Sequence, residues 1–220
     1  MIHIEKSFNI GTVNEKQIFK GLDLTINDGD FITVIGGNGA GKSTMLNLIA
    51  GVHKADGGRI ILDGEDLTYK NETQRAKYIG RVFQDPMMGT APTMMIEENL
   101  AMAYRRTKKR TLAWGISQKE RELYRESLAQ LGLGLEDRMK TKVGLLSGGQ
   151  RQAVTLLMAT LQKPKLLLLD EHTAALDPAT SAKVLKISDD IIRENKLTAL
   201  MVTHDMQDAI KYGNRLVMMN

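Results

Sequence analysis

Residues 31–44, "FITVIGGNGAGKST", constrain this chain more than any other stretch. An apolar run over 31–37 reads as a buried strand. It breaks into Gly36, Gly37, Asn38, Gly39, Ala40 and Gly41, and Lys42, Ser43 and Thr44 then open a helix over 42–51 that Gly51 stops. Glycines let the backbone curl until several N–H groups face one point, and the helix adds the positive end of its dipole. From Gly36 to Ser43 the spacing is G-x-x-x-x-G-K-S. In that pattern the lysine reaches the β/γ-phosphates of a nucleotide and the serine hydroxyl ligates Mg2+. A plain strand-to-helix turn requires neither Lys-Ser nor the spaced glycines. The expected ligands are therefore ATP and Mg2+.

The rest of the chain agrees with a phosphate loop set in a parallel sheet. Residues 165–170, "KLLLLD", and 197–204, "LTALMVTH", are apolar throughout, as strands covered on both faces are. Residues 79–84, "IGRVFQ", make another strand. Helices are expected at 93–106, from a capping box of Ser117 and Glu120 to Leu131, from Gly148 to Leu161, and after Asp177-Pro178. Near the N-terminus, 2–8 and 18–26 alternate like strands, with a turn at 27–30 and a further strand in 57–67. The expected fold is α/β: a P-loop NTPase core with a mainly parallel sheet, an antiparallel β-subdomain at the N-terminus, and an inserted helical subdomain. As one domain, 1–88 and 162–220 form the core with the β-subdomain, and 89–161 form the helical part.

Parallel strands place their C-terminal ends along one edge, where ligands bind. Gln84, Asp170, Glu171 and His204 all fall at such ends. Asp170 is placed for Mg2+, directly or through water, and Glu171 to orient or deprotonate a water at the γ-phosphate. Each residue alone is more often a surface or capping residue; four of them on strands bracketing a phosphate loop are not explained that way.

Composition narrows the setting. The 220 residues carry a net charge of +4 and no cysteine, which excludes disulfides and thiolate chemistry. No apolar run is long enough to span a bilayer, so a membrane role has to come through a partner.

A second glycine-rich loop, "LLSGGQRQ" at 145–152, opens another helix. By itself it is a serine and two glycines at a helix N-terminus, an anion site. With "GGNGAGKST", Gln84, "LLLLDE" (166–171), "ALD" (175–177) and His204, it makes the chain resemble the ATP-binding cassette (ABC) ATPases over nearly its whole length. The resemblance implies ATP hydrolysis by a head-to-tail homodimer, each ATP lying between the P-loop of one subunit and LSGGQ of the other. It implies that Lys42 and the loop amides of 36–44 hold the phosphates, and that Ser43 and Gln84 contact Mg2+ with Asp170 in support. Glu171 is then the catalytic carboxylate and His204 a γ-phosphate contact. Ser147, Gly148, Gly149, Gln150 and Asp177 serve the partner's ATP. Phe8 falls where the family keeps an aromatic that stacks on adenine; a core phenylalanine is the other reading. His172 and Ala174 depart from a common proline and serine, without removing a reacting group.

One cassette, no transmembrane helix and a short insertion point to a separate ATPase subunit. It would sit on the cytoplasmic face of a bacterial membrane, with a permease and, through it, an extracytoplasmic substrate-binding lipoprotein. Residues 103–115 and 170–178 resemble a subgroup described as tryptophan/tyrosine uptake systems, whose permeases are of the branched-chain amino-acid type. Import of amino acids is the expectation, and an ATPase acting on nucleic acid or ribosomes is the alternative. The basic residues Arg105, Arg106, Lys108, Lys109 and Arg110 fit a solvated loop, a lipid or permease contact, or nucleic acid. The methionines of 85–98 fit either core filling or an apolar docking surface.

Overall fold

The computed structural model describes residues 1–106 and 115–220. In chain order its elements are β1 (Ile2–Phe8), β2 (Lys16–Leu22), β3 (Phe31–Gly36), α1 (Lys42–Ala50), β4 (Gly57–Arg59), β5 (Ile61–Leu62), β6 (Glu65–Asp66), α2 (Glu72–Arg75) and β7 (Ile79–Val82). There follow α3 (Ile96–Tyr104), α4 (Gln118–Ala129), a 3-10 turn (Val143–Leu145), α5 (Gly148–Thr160), β8 (Leu166–Asp170), α6 (Pro178–Glu194), β9 (Ala199–Val202), α7 (Met206–Tyr212) and β10 (Arg215–Met219).

Five strands form the central sheet in the order β10-β3-β9-β8-β7, and every neighbouring pair is parallel. Side chains alternate between its two faces. Ile32, Val34, Ile79, Leu166, Leu168, Leu200 and Val202 pack with Met45, Leu46, Leu48 and Ile49 of α1. Val82, Leu167, Leu169, Ala199 and Met201 pack in a second core with residues of α3, α4, α5 and α6. Burial on both faces explains the unbroken apolar runs of β8 and β9. β1 lies between β2 and β4 in a separate antiparallel sheet. At Gly58, φ is +85° and an added Cβ would come within 2.3 Å of the His3 carbonyl oxygen, so only glycine lets β4 approach β1. The α/β, P-loop architecture expected from the sequence is the one observed.

Some boundaries differ. The strand expected at 18–26 is β2, which starts at Lys16 and ends at Leu22; the next backbone bond of that stretch goes from Leu24 N–H to the Met1 carbonyl. The strand expected within 57–67 divides into β4, β5 and β6 around the turn at Asp63 and Gly64, both of positive φ. The helix expected to reach Leu131 ends at Ala129, with Gly132 at φ +62° just beyond. The strand of 79–84 closes at Val82, leaving Phe83 and Gln84 outside the ladder. α7 and β10 were not among the expected elements. β10 pairs with β3 from Arg215↔Ile32 to Met219↔Gly36.

One buried cation steadies the helix behind the glycine loop. Arg75, 1% exposed, donates from Nη1 to the carbonyls of Leu48 and Ile49 at 2.6 and 2.8 Å. Both carbonyls belong to the last turn of α1, where helical donors run out; that of Leu48 also accepts from the Gly51 N–H. A cation there also answers the negative end of the helix dipole.

Candidate nucleotide site

The glycine loop joins β3 to α1 at the C-terminal edge of the sheet. Gly39 and Gly41 have φ of +85° and +92°, and a Cβ on Gly41 would meet Ile18 and Phe19 at 2.8 and 2.9 Å. At Gly36 a Cβ would lie 2.4 Å from the Met219 carbonyl oxygen, because β10 runs alongside. Gly37 faces open space. Lys42 is buried and folds back over its own loop, Nζ donating to the carbonyls of Gly36 (2.8 Å) and Gly37 (3.1 Å). Gly37, Asn38, Gly39 and Ser43 are exposed, and Ala40 and Thr44 are half-buried.

Two strands along, the chain leaves β8 through Asp170 into Glu171, which takes the left-handed φ of +46°. A non-glycine residue there carries strain of the kind found at functional positions. The turn is held by a bond from the Glu171 N–H to the Val202 carbonyl, 3.1 Å. Its carboxylate Oε1 lies 2.7 Å from Nε2 of His204, which follows β9. An ionised carboxylate only accepts, so Nε2 carries the proton of this contact. Behind Glu171, His172 is buried, with Nε2 2.9 Å from the Ser188 hydroxyl. That hydroxyl already donates to the Val184 carbonyl, so His172 Nε2–H is the donor. Burial pushes the His172 imidazole down to about 4, and it is neutral near pH 7.

The proposed metal-facing residues share this edge, but among the described residues no hydrogen bond joins Ser43, Gln84 and Asp170. Asp170 instead pairs with Arg81, Nη2 to Oδ2 3.3 Å. Gln84 is exposed. The carbonyl of Phe83 just before it accepts from Nε2 of Gln152 in α5, 3.0 Å, which ties this segment to the helix of the second glycine loop. On its other side, the Asn99 side chain in α3 donates to the carbonyls of Ala91, Met94 and Met95 and accepts from the Ala91 N–H. A hydroxyl, an amide and a carboxylate are hard oxygen donors that suit Mg2+. Among the described residues no group of three or more His, Cys, Asp or Glu could hold a metal.

The second glycine loop is a capping box. Ser147 Oγ accepts from the Gln150 N–H, and Gln150 Oε1 accepts from the Ser147 N–H. Ser147 and Gly148 are exposed, whereas Gly149 is buried against the first turn of α6. A Cβ on Gly149 would stand 2.2 Å from Thr180 Cγ2. Asp177 caps α6, accepting from the Thr180 N–H at 3.1 Å. The second loop and the 175–177 segment therefore form one unit, and among the described residues no hydrogen bond or ion pair links Ser147–Gln150 to 36–44.

Phe8 lies outside both cores and is half-buried, edge-on to His53 at 5.3 Å with Lys6 Nζ 5.3 Å from its ring. The structure adds two residues that sequence reasoning missed. Lys16 pairs with Phe8 across the β1–β2 ladder, and its Nζ lies 3.6 Å from where a Gly39 Cβ would be. Only the hairpin register carries that signal. Arg81 is the other; an arginine in an otherwise apolar strand looks like a solvent-facing edge position. Of the basic run, Arg105 forks onto both Glu120 carboxylate oxygens and donates to the Gly115 carbonyl. Lys108, Lys109 and Arg110 lie outside the described residues.

A loop of this shape, with the strand ends beside it, defines a phosphate-binding ATPase site, and comparison with known proteins agrees. Residues 19–174 match the family model described as ABC transporter. The chain is 44% identical over 99% of its length to a tyrosine transport ATP-binding protein of Clostridioides difficile (strain R20291), covering 86% of that protein. It is 39% identical to the spermidine/putrescine import ATP-binding protein PotA of Shigella flexneri serotype 5b (strain 8401), covering 93% of this chain and 51% of that one. Among solved structures it is similar to the dimeric ATP-binding cassette MJ0796 in a post-hydrolysis state bound to ADP and Pi. That match has a TM-score of 0.83 at 29% identity, over 100% of this chain and 93% of the other. The chain belongs to the ABC transporter family; it is an ATPase whose hydrolysis of ATP is coupled to transport. Among the described residues no helix is long and apolar enough to cross a membrane.

Proposed function

We propose that two copies of this chain close head-to-tail around two ATP molecules and drive import through a separate membrane permease on the cytoplasmic face. Lys42 and the amides of 36–44 hold the phosphates of one nucleotide, the ammonium exchanging a loop carbonyl for a phosphate oxygen. Phe8 lies against the adenine, and Lys16 adds a positive charge at the loop. Ser43, Gln84 and Asp170 would hold Mg2+, which neutralises phosphate charge when bound. Glu171 accepts a proton from the attacking water while His204 fixes the carboxylate and faces the γ-phosphate. Ser147, Gly148, Gly149, Gln150 and Asp177 complete the site from the opposite subunit. The tyrosine transport relative supports an amino acid as cargo; a substrate-binding lipoprotein that delivers it to the permease belongs to the same proposal.

The observation that carries this reading is the 2.7 Å contact between Glu171, held at a strained φ, and His204 on the sheet edge that bears the glycine loop. The test is Glu171→Gln. Steady-state hydrolysis should fall by about 100-fold or more, ATP binding should persist, and size-exclusion chromatography should show an ATP-dependent dimer. Near-parental hydrolysis would remove Glu171 from the catalytic role.

A further inference from the structure

We infer that Arg81 is a positioning residue that shares the Asp170 carboxylate with the metal, setting which oxygen the metal meets and how tightly the site holds it. This rests on the reading of Asp170 as a metal-facing carboxylate. In β7 and β8 the register Arg81↔Leu168 and Val82↔Leu169, with strict alternation, places Arg81 and Asp170 on the same face as Ile79, Leu166 and Leu168. That is the face covered by α1, the helix of the phosphate loop. Arg81 Nη2 reaches Asp170 Oδ2 at 3.3 Å, with the two side chains only 13% and 15% exposed. At such burial the attraction is screened far less than at the surface.

The guanidinium is also held from behind. Its Cζ lies 4.6 Å from the centroid of the Phe83 ring, and Phe83 immediately precedes Gln84. Nε is buried with no hydrogen-bond partner. Burying an arginine with a donor unmet is unfavourable, so simple stabilisation of the strand does not account for it. Two consequences follow for the carboxylate. Oδ2 is engaged by a fixed cation, which leaves Oδ1 as the oxygen turned to the metal or its water. A second positive charge next to the first is repelled, so Arg81 weakens metal binding while holding Asp170 in one orientation. Because the guanidinium rests on Phe83, that orientation is mechanically linked to the segment that Gln152 ties to α5.

The test measures Mn2+ binding to the full chain with saturating ADP, by electron paramagnetic resonance of the free ion. Arg81→Met keeps the stem and removes the charge, and the Mn2+ dissociation constant should fall about three- to tenfold. Arg81→Lys should stay close to the parent. Asp170→Asn should weaken Mn2+ binding, and in its presence Arg81→Met should have no further effect. Unchanged or weaker Mn2+ binding in Arg81→Met, alongside a clear Asp170→Asn effect, overturns the role of Arg81 and leaves that of Asp170 intact. No response to Asp170→Asn overturns the underlying reading instead. If the methionine variant does not fold, Arg81→Gln carries the same comparison.

Discussion

Single residues in this chain are often fixed by what stands directly in front of them. Gly149 is the sharpest case. It belongs to the second glycine loop, yet its hydrogen faces Thr180 Cγ2 across a gap no Cβ fits. Gly149→Ala should therefore destabilise the fold by about 1–3 kcal/mol through overpacking. Thr180→Ser, which removes the obstructing methyl and leaves the α6 cap on Asp177 in place, should recover most of that loss. Chemical denaturation of the two single variants and the double variant gives the coupling; additive effects would contradict the packing argument. Sequence reading places Gly149 in the second glycine loop, because the motif is local. Its contact with Thr180 is 31 positions away and is created by the docking of α5 on α6. Arg81 escaped for the same reason: its partner Asp170 is set by the pairing of β7 with β8, which no single-strand pattern reveals.

Among the elements, those with period and caps of their own were the legible ones. α4 is fixed by Ser117 and Glu120, α6 by Asp177 and Pro178, α1 by Gly51, and the apolar runs of β8 and β9 by burial on both faces. β2, β5, β6 and β10 were misplaced or missed. They are short or lie at sheet edges, where alternation is weak and pairing decides the ends. The cap of α4 carries its own prediction. The Arg105 fork, with the Ser117 N–H and hydroxyl, holds the Glu120 carboxyl down to about 2. A carboxylate depressed in the folded state contributes stability that is complete above its unfolded pKa. That contribution is lost as pH falls from the ordinary glutamate range towards 2. Arg105→Met should lower the melting temperature near neutral pH, with a difference from the parent that narrows over that window. A difference constant with pH would mean the fork contributes packing and no charge.

For the molecule as a whole, the proposed function gives the second glycine loop a role in a site shared by two copies. Ser147→Arg blocks the loop a subunit offers, and Lys42→Ala disables the loop that receives. Each variant alone should be inactive in ATP hydrolysis while Ser147→Arg still binds ATP as a monomer. Mixed together, half of the dimers pair unlike subunits, and each of these holds one intact site and one doubly damaged one. Activity should therefore recover to about a quarter of the parent when subunits mix at random. A mixture as inactive as its components would count against shared sites.

The central sheet also imposes an order on biosynthesis. β3, which delivers the phosphate loop, is flanked by β9 and β10, so both of its neighbours come from residues 199–219. Gly36 pairs with Met219 at the end of the β3–β10 ladder. During translation, residues 31–44 emerge early and wait for strands made more than 150 positions later. A nascent chain on the ribosome thus has the motif but lacks the frame that shapes it. On this topology a nascent chain should acquire a shaped phosphate loop, and with it ATP binding, only after β9 and β10 have been made.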